Sequence, residues 1–174
     1  MKKFLVVVDM QNDFIDGALG TKEAEAIVPA AINEIEKFDG EIIATYDTHF
    51  DDYLDTAEGK KLPVMHCVKD TEGWQLNSGI KAALEKKGYT EVIKYTFGSK
   101  DLPEIIKKKA GNEDFEIELI GLCTDICVVS NTLLLKAHFP ENKISVNESC
   151  CAGVTPDTHR AAISTMACCQ IDII

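Results

Sequence analysis

Cys127 lies in segment 121–128 (Gly-Leu-Cys-Thr-Asp-Ile-Cys-Val), after the alternating apolar run 115–120, which ends at a glycine. The run predicts a strand that stops at a tight turn, and Thr124 and Asp125 are residue types that cap helices. Cys127 is therefore expected in the first turn of a helix. Unpaired backbone N–H groups there stabilise negative charge, which lowers the pKa of a thiol and favours the nucleophilic thiolate. An isolated cysteine would more often be a buried structural residue, so the interpretation depends on its neighbours.

Other side chains that can do chemistry stand where predicted strands end. Asp9 follows the first strand, Asp47 and His49 follow the second, and Lys94 closes the third. Ligands of open α/β sheets bind beyond the carboxyl ends of the strands, so these groups are expected to meet Cys127 there. A thiol becomes nucleophilic at neutral pH when a base or a cation lies beside it. Taken singly, Asp9 is as well explained as a turn residue and Lys94 as a surface residue, but their joint placement favours catalysis.

Strand-like apolar runs alternate with helical patterns along the chain. The predicted strands are 4–8, 41–46, 91–95, 115–122, 143–147 and 171–174. The predicted helices are 24–38, 78–87 (capped by Ser78), 102–109, 125–139 and a last one opened by Thr155, Pro156 and Asp157. This alternation predicts a three-layer, doubly wound α/β fold, with a six-stranded, mostly parallel sheet between helices, in a single domain of residues 1–174. The long irregular stretch 47–77 is expected to be functional.

Composition limits the class of protein. Of the 174 residues, 45% are hydrophobic and 27% charged, as is typical of a globular domain. The formal net charge of −11 offers no basic patch, so neither nucleic acid nor an anionic membrane surface is an expected partner. The first apolar run ends at Asp9, too early for a signal peptide, and no run is long enough to span a membrane. Seven cysteines, with adjacent pairs at 150–151 and 168–169, suit neither a disulfide framework nor the cysteine spacing of a tetrahedral zinc site, and they predict a reducing cytoplasm.

Four segments together resemble the cysteine hydrolases of the nicotinamidase/isochorismatase superfamily. They are Asp9-Met-Gln-Asn-Asp-Phe14, Val-Ile-Lys-Tyr-Thr-Phe-Gly-Ser around Lys94, Gly121-Leu-Cys-Thr-Asp-Ile-Cys-Val128 and Ala152-Gly-Val-Thr-Pro156. The resemblance extends over essentially the whole chain. It is specific because the Asp-x-Gln opening and the Thr-Asp-x-Cys-Val segment occur together. The fold that it implies is the isochorismatase-like one.

The resemblance implies a catalytic role for several residues. Asp9, Lys94 and Cys127 would form a catalytic triad, and the backbone N–H groups of Cys123 and Cys127 would form the oxyanion hole. A cis peptide would fall between Leu122 and Cys123. The thiol would attack an amide carbonyl and release ammonia, leaving a thioester for water to hydrolyse. Burial would raise the pKa of Asp9 enough for it to accept the thiol proton, while Lys94 stabilises charge.

The resemblance also implies a metal site. Nicotinamidases carry an Asp-x-His pair and a later histidine, and Asp47, His49 and His66 match this pattern. Carboxylate and imidazole groups suit zinc, manganese or iron, whereas a solvated loop without metal is an equally weighted alternative. Some members add a further histidine, for which Asp55 is the nearest residue here. No organic cofactor is expected.

The substrate pocket is predicted to include Phe14. The aromatic residue that often precedes the later histidine in the family is replaced by Leu62-Pro63, so Trp74 is the candidate for an aromatic wall. The expected substrate is a small-molecule amide of unspecified identity. Family members are commonly homo-oligomers, which predicts the same here.

The leading interpretation is thus a cytoplasmic, nicotinamidase-like amidohydrolase. An N-carbamoyl amide hydrolase, with the same triad and no metal, remains open. Isochorismatase chemistry is disfavoured because the family members that perform it generally lack the nucleophilic cysteine found here as Cys127. A catalytically silent binding module is disfavoured by the intact triad. A redox protein is disfavoured because Cys123 and Cys127 are spaced Cys-x-x-x-Cys rather than Cys-x-x-Cys.

Overall fold

Six strands form one sheet in the computed structural model, which describes residues 1–174. They are β1 (Lys2–Val8), β2 (Glu41–Asp47), β3 (Thr90–Lys94), β4 (Phe115–Leu122), β5 (Ile144–Ala152) and β6 (Asp172–Ile173). The order across the sheet is β3-β2-β1-β4-β5-β6, and every neighbouring pair is parallel. The predicted fold class is confirmed. The chain reverses its direction of travel across the sheet between β1 and β4, which is where such folds place their ligands.

Helices cover both faces of this sheet. They are α1 (Asn12–Ile15), α2 (Lys22–Lys37), α3 (Ser78–Lys87), α4 (Leu102–Ala110), α5 (Val129–His138) and α6 (Pro156–Cys168). Leu5 and Val7 of β1 belong to one buried cluster with residues of α2 and α3, whereas Phe4 and Val6 belong to a second with residues of α4, α5 and α6. Successive side chains of a strand point to opposite faces, so β1 contributes to both halves of the core.

Several element boundaries differ from the predicted ones. β5 extends to Ala152, past the predicted end at residue 147, and the register between β4 and β5 shifts along the way. The cap of α3 is Asn77 rather than Ser78, because its side-chain oxygen accepts from the N–H groups of the next turn. The predicted helix 125–139 starts as one π-helical turn, Thr124–Val128. α1 was not predicted, because four residues are too few to show a helical period.

Gly121 is required where β4 approaches β1. Its φ is +118°, and a Cβ atom at this position would lie 2.1 Å from the carbonyl oxygen of Val8. Any side chain would therefore push the two central strands apart just before the turn that carries Cys127.

The segment between β2 and α3 is the longest connection in the chain. It contains a 3₁₀ turn, Tyr53–Asp55, and two isolated β-bridges, Gln11 with Leu76 and His49 with Val68. These contacts fasten the segment to the residues that follow β1 and β2, at the carboxyl edge of the sheet. None of the helices combines the length and apolar character needed to cross a membrane.

Candidate active site

Asp9, Lys94 and Cys127 meet at the carboxyl edge of the sheet, and all three are buried. Asp9 follows β1, Lys94 is the last residue of β3, and Cys127 lies in the π-helical turn after β4. Nζ of Lys94 lies 2.7 Å from Oδ2 of Asp9 and 3.4 Å from Sγ of Cys127. Since β2 separates β1 from β3, the lysine side chain reaches across the end of β2. Its ammonium group also lies 2.9 Å from Oδ1 of Asp47 there.

The carboxylate of Asp9 is held by two neighbours. Thr45 of β2 donates its hydroxyl to Oδ1 at 2.7 Å. Oδ2 forms the ion pair with Lys94 and has no hydrogen-bond partner besides it. Burial raises the pKa of Asp9, the Lys94 cation opposes this, and the Asp47 anion adds to it. The result is a base stronger than an ordinary aspartate, as the sequence predicts.

The pKa of the Cys127 thiol differs from the sequence prediction. Burial and the Asp9 carboxylate raise its pKa well above the usual value, the Lys94 cation lowers it less, and Asp47 raises it further. The expected lowering by a helix N-terminus is therefore wrong, because desolvation and two anions outweigh one cation. Lys94 itself stays protonated: burial opposes its charge, but Asp9, Cys127 and Asp47 hold its pKa well above the usual value. The site thus contains an ion pair beside a thiol whose pKa is raised.

The turn that carries Cys127 is tied to the start of α6. Thr124 and Asp125 do not cap it, contrary to prediction. The hydroxyl of Thr124 lies 2.8 Å from Nδ1 of His159, and the carboxylate of Asp125 accepts from the N–H of Val154 at 3.1 Å. These contacts fix the turn from outside the sheet. The peptide bond between Leu122 and Cys123 is cis, as the resemblance implies.

Asp47, His49 and His66 form a cluster that fits a divalent metal. Their nearest ligand atoms all lie within 4.8 Å of one another. Nδ1 of His66 is 2.8 Å from the carbonyl oxygen of Val64, to which it can donate a proton, and this leaves Nε2 as a free ligand facing the cluster. A carboxylate with two imidazoles is a donor set suited to zinc, manganese or iron.

A fourth side chain joins this cluster. Oε1 of Glu58 lies 3.7 Å from Nε2 of His49 and 3.8 Å from Nε2 of His66. Asp55, which the sequence suggests for this place, is not part of the cluster. Asp55 lies in the 3₁₀ turn and is exposed, while Glu58 lies beyond that turn and faces the imidazoles. The correction depends on the path of the loop, which residue spacing does not specify.

Asp47 and His49 each stabilise the charged form of the other. Burial alone would raise the pKa of Asp47, but His49 and Lys94 lower it to about 2. Burial alone would lower the pKa of His49, but the hydrogen bond and charge of Asp47 raise it above the usual value. Asp47 is therefore an anion that contacts both Lys94 and His49.

A cavity of about 620 Å³ opens beside Cys127 and the cluster. Phe14 lines it, as predicted, together with Asp47, Glu58 and His66. Trp74 does not line it, contrary to prediction. It packs in the core 5.2 Å from the ring of Tyr46, and its Nε1 donates to Thr48. The apolar walls come instead from residues that the sequence does not single out, including Leu19, Leu62, Phe97, Ile126 and Val154.

Comparison with known proteins identifies the family to which the chain belongs. Residues 3–174 match the model of the isochorismatase domain. The chain belongs to the isochorismatase family. This confirms the predicted family and the predicted hydrolase class.

Similar proteins cover nearly the whole length. An uncharacterized isochorismatase family protein of Bacillus subtilis (strain 168) is 28% identical over 180 residues, 96% of this chain and 95% of that protein. The nicotinamidase/pyrazinamidase of Mycobacterium tuberculosis (strain ATCC 25618 / H37Rv) is 26% identical over 183 residues, 98% of this chain and 97% of that protein. The crystal structure of a nicotinamidase/pyrazinamidase from Bacillus subtilis superposes with a TM-score of 0.85 at 26% identity, covering 99% of each chain.

Gln11 has a positioning role in this family member that its motif alone does not reveal. Its Nε2 donates to the carbonyl oxygens of Asp47 at 2.9 Å and Trp74 at 2.8 Å, and its Oε1 accepts from the N–H of Asp47 at 2.8 Å. One buried amide therefore fixes the backbone at Asp47 and fastens the long loop to it. A glutamine two residues after Asp9 is the only sequence signal of this role.

Proposed function

We propose that this protein is a cysteine amidohydrolase that cleaves a carboxamide C–N bond, as a nicotinamidase does, through a thioester intermediate. The observation that carries the proposal is the position of Lys94, whose ammonium group contacts both Asp9 and Cys127, the latter a residue of the cavity wall. The names of two similar proteins, nicotinamidase/pyrazinamidase, support this substrate chemistry.

Acylation starts from the neutral thiol. Asp9 takes the proton of Sγ as the sulfur forms a bond to the amide carbonyl carbon, because its raised pKa makes it a competent base. Lys94 stays charged and stabilises the developing thiolate. The carbonyl oxygen becomes an oxyanion, for which the backbone N–H groups of Cys123 and Cys127 are the proposed donors. Removing one such donor typically costs about a hundredfold or more in rate.

Breakdown of the tetrahedral intermediate completes the reaction. Asp9 returns its proton to the amide nitrogen as the C–N bond breaks, ammonia leaves, and a thioester to Cys127 remains. Asp9 then removes a proton from water, whose oxygen attacks the thioester carbonyl. The C–S bond breaks, the acid is released, and the sulfur regains a proton. Atoms and charges balance without an oxidant or reductant.

Asp47, His49, His66 and Glu58 are the proposed metal ligands. A divalent zinc, manganese or iron ion held there would be a Lewis acid able to orient the substrate. Asp47 would also keep its contact with Lys94, so that the two halves of the site share one carboxylate. This donor set favours the nicotinamidase-like reaction over the metal-free N-carbamoyl amide hydrolase.

The test is ammonia release from nicotinamide, pyrazinamide and N-carbamoyl amides, with metal analysis of the purified protein. We expect activity on the carboxamides, its loss in Cys127→Ala and its retention in Cys168→Ala, which changes an exposed cysteine instead. Activity confined to N-carbamoyl amides in metal-free protein would select the alternative. Full activity of Cys127→Ala would end the cysteine mechanism.

A further inference from the structure

We infer that the natural substrate is a primary carboxamide whose acyl group is larger and more apolar than a single heteroaromatic ring, such as an alkyl- or aryl-extended aromatic amide. This inference rests on the proposed function, because it assigns the substrate class of the same site. It follows from the size of the cavity, the chemistry of its walls and the position of exposed apolar residues.

The cavity is larger than a one-ring amide requires. Its volume is about 620 Å³. Pockets of about 300–1,000 Å³ enclose drug-sized ligands, and this one falls in the middle of that range. A single ring with its carboxamide placed against Cys127 and the metal-ligand cluster would leave much of this space to water.

The buried polar groups of the cavity lie where the amide would react. Of the 19 lining residues, 12 are hydrophobic. Asp47, His66 and Cys127 are buried, so they mark the inner end. The walls leading outward include Leu62, Phe97 and Val154, whose partial exposure places them at the mouth. Lys61 and Thr96 are also exposed in the cavity wall, but apolar side chains outnumber them there. A buried polar end and a mostly apolar mouth fit a substrate with one polar reacting group and an apolar extension.

Exposed apolar side chains also gather at this mouth. Tyr95, Phe97, Val154 and Leu62 line the cavity and are 61, 44, 50 and 36% exposed, respectively. Phe50 extends the patch by stacking on Tyr95 with ring centroids 5.9 Å apart. Away from the chain termini, only two other large apolar residues are exposed to this degree. Contiguous exposed apolar patches mark binding sites, and here the patch continues directly from the cavity walls.

The aliphatic side chain of Leu62 fits the same substrate class. Leu62 lines the cavity, and Trp74 is held in the core by its hydrogen bond to Thr48. An aliphatic side chain at this point accommodates groups that are not flat.

The first experiment compares nicotinamide with nicotinamides that carry propyl or phenyl groups at ring position 5 or 6. We expect kcat/KM to be at least about tenfold higher for the best extended amide, since one methylene in an apolar pocket is worth roughly 10–200-fold. Binding of the same compounds to Cys127→Ala protein, measured by calorimetry, should show the same order. Nicotinamide binding and reacting as well as every extended amide would overturn the inference. Ammonia release from no amide would end the proposed function, while the calorimetric order still decides the inference.

Matched variants test where the apolar extension of the substrate binds. Leu62→Ser and Phe97→Ser should lower kcat/KM for the best extended amide by more than they lower it for nicotinamide. Leu54→Ser is the control, because this leucine of the same loop is 49% exposed and does not line the cavity. Equal losses for both substrates would overturn the assignment. So would a change of molecular mass in Phe97→Ser by light scattering, which would show that a second copy of the chain covers the mouth.

Discussion

Nζ of Lys94 lies 2.9 Å from Oδ1 of Asp47. The other oxygen of that carboxylate, Oδ2, lies 3.0 Å from Nε2 of His49. The proposed acylation residues and the proposed metal ligands are thus one buried network rather than two neighbouring sites. Changes on either side are expected to affect the other, and the predictions below use this connection.

Asp9 and Lys94 are expected to act as one unit in catalysis. Asp9→Asn cannot accept the thiol proton, and Lys94→Met cannot stabilise the charge, so each should lower kcat by roughly 10³-fold or more. The double variant should be scarcely slower than either single one, because groups that act together are strongly non-additive. Steady-state rates with circular dichroism as a folding control provide the measurement. Losses that multiply would show that the two residues act independently.

The same pair should be coupled in stability. Lys94→Met leaves the carboxylates of Asp9 and Asp47 buried without their cation, which should cost about 3–5 kcal/mol. Asp47 keeps its contact with His49, whereas Asp9 has no other cation beside it. Adding Asp9→Asn removes this unpaired anion, so the double variant should be more stable than Lys94→Met alone. Urea denaturation at pH 7 measures the three proteins. A double variant less stable than Lys94→Met would contradict the coupling.

His159 is expected to position the turn that carries Cys127 through its 2.8 Å contact with Thr124. His159→Ala should lower kcat about tenfold, the value of one lost hydrogen bond of ~1.4 kcal/mol, with little change in KM. His159→Asn should restore part of the rate, because its amide can still reach the hydroxyl. Glu148→Gln is the control, since its carboxylate is 3.5 Å from the far side of the ring. A rise in KM without loss of kcat would assign His159 to substrate binding instead.

Glu58, rather than Asp55, is expected to contribute to metal binding. Glu58→Gln should weaken the binding of zinc or manganese, and His66→Ala should remove it, because these side chains face the cluster. Asp55→Asn should leave the metal content unchanged. Metal analysis after dialysis against buffered metal measures all three variants. Equal metal retention by Glu58→Gln and Asp55→Asn would show that the protein supplies only three ligands, Asp47, His49 and His66.

Glu118, which lies outside the proposed active site, is expected to make the free energy of unfolding depend on pH. Burial raises its pKa, and the neighbouring Glu34 raises it further. The folded state therefore binds its proton more tightly than the unfolded one, so the contribution of Glu118 to stability is fully present below the unfolded pKa and is lost as pH rises through the folded value. Glu118→Gln should be more stable than the parent at pH 7.5, with the difference shrinking toward pH 4.5, by urea denaturation. A difference that grows at low pH would contradict this sign.

The sequence by itself determines the order of strands and helices. Phe115–Leu122 and Ser78–Lys87 have the predicted bounds, because alternation and helical spacing are properties of short segments. It also places Asp9, Lys94 and Cys127 at one edge of the sheet, because the carboxyl ends of parallel strands share that edge. The family motifs then point to the same chemistry.

Only the tertiary structure decides which of these groups are in contact and how far their pKa values are shifted. The contact of Thr45 with Asp9 joins residues 36 positions apart, and the contact of Glu58 with His66 depends on the path of an irregular loop, so local spacing encodes neither pair. The raised pKa of Cys127 is a second example, because desolvation and the surrounding charges exist only once the chain has folded around the thiol. The position of Trp74 is decided in the same way, by packing against Tyr46 in the core rather than by its place in the loop.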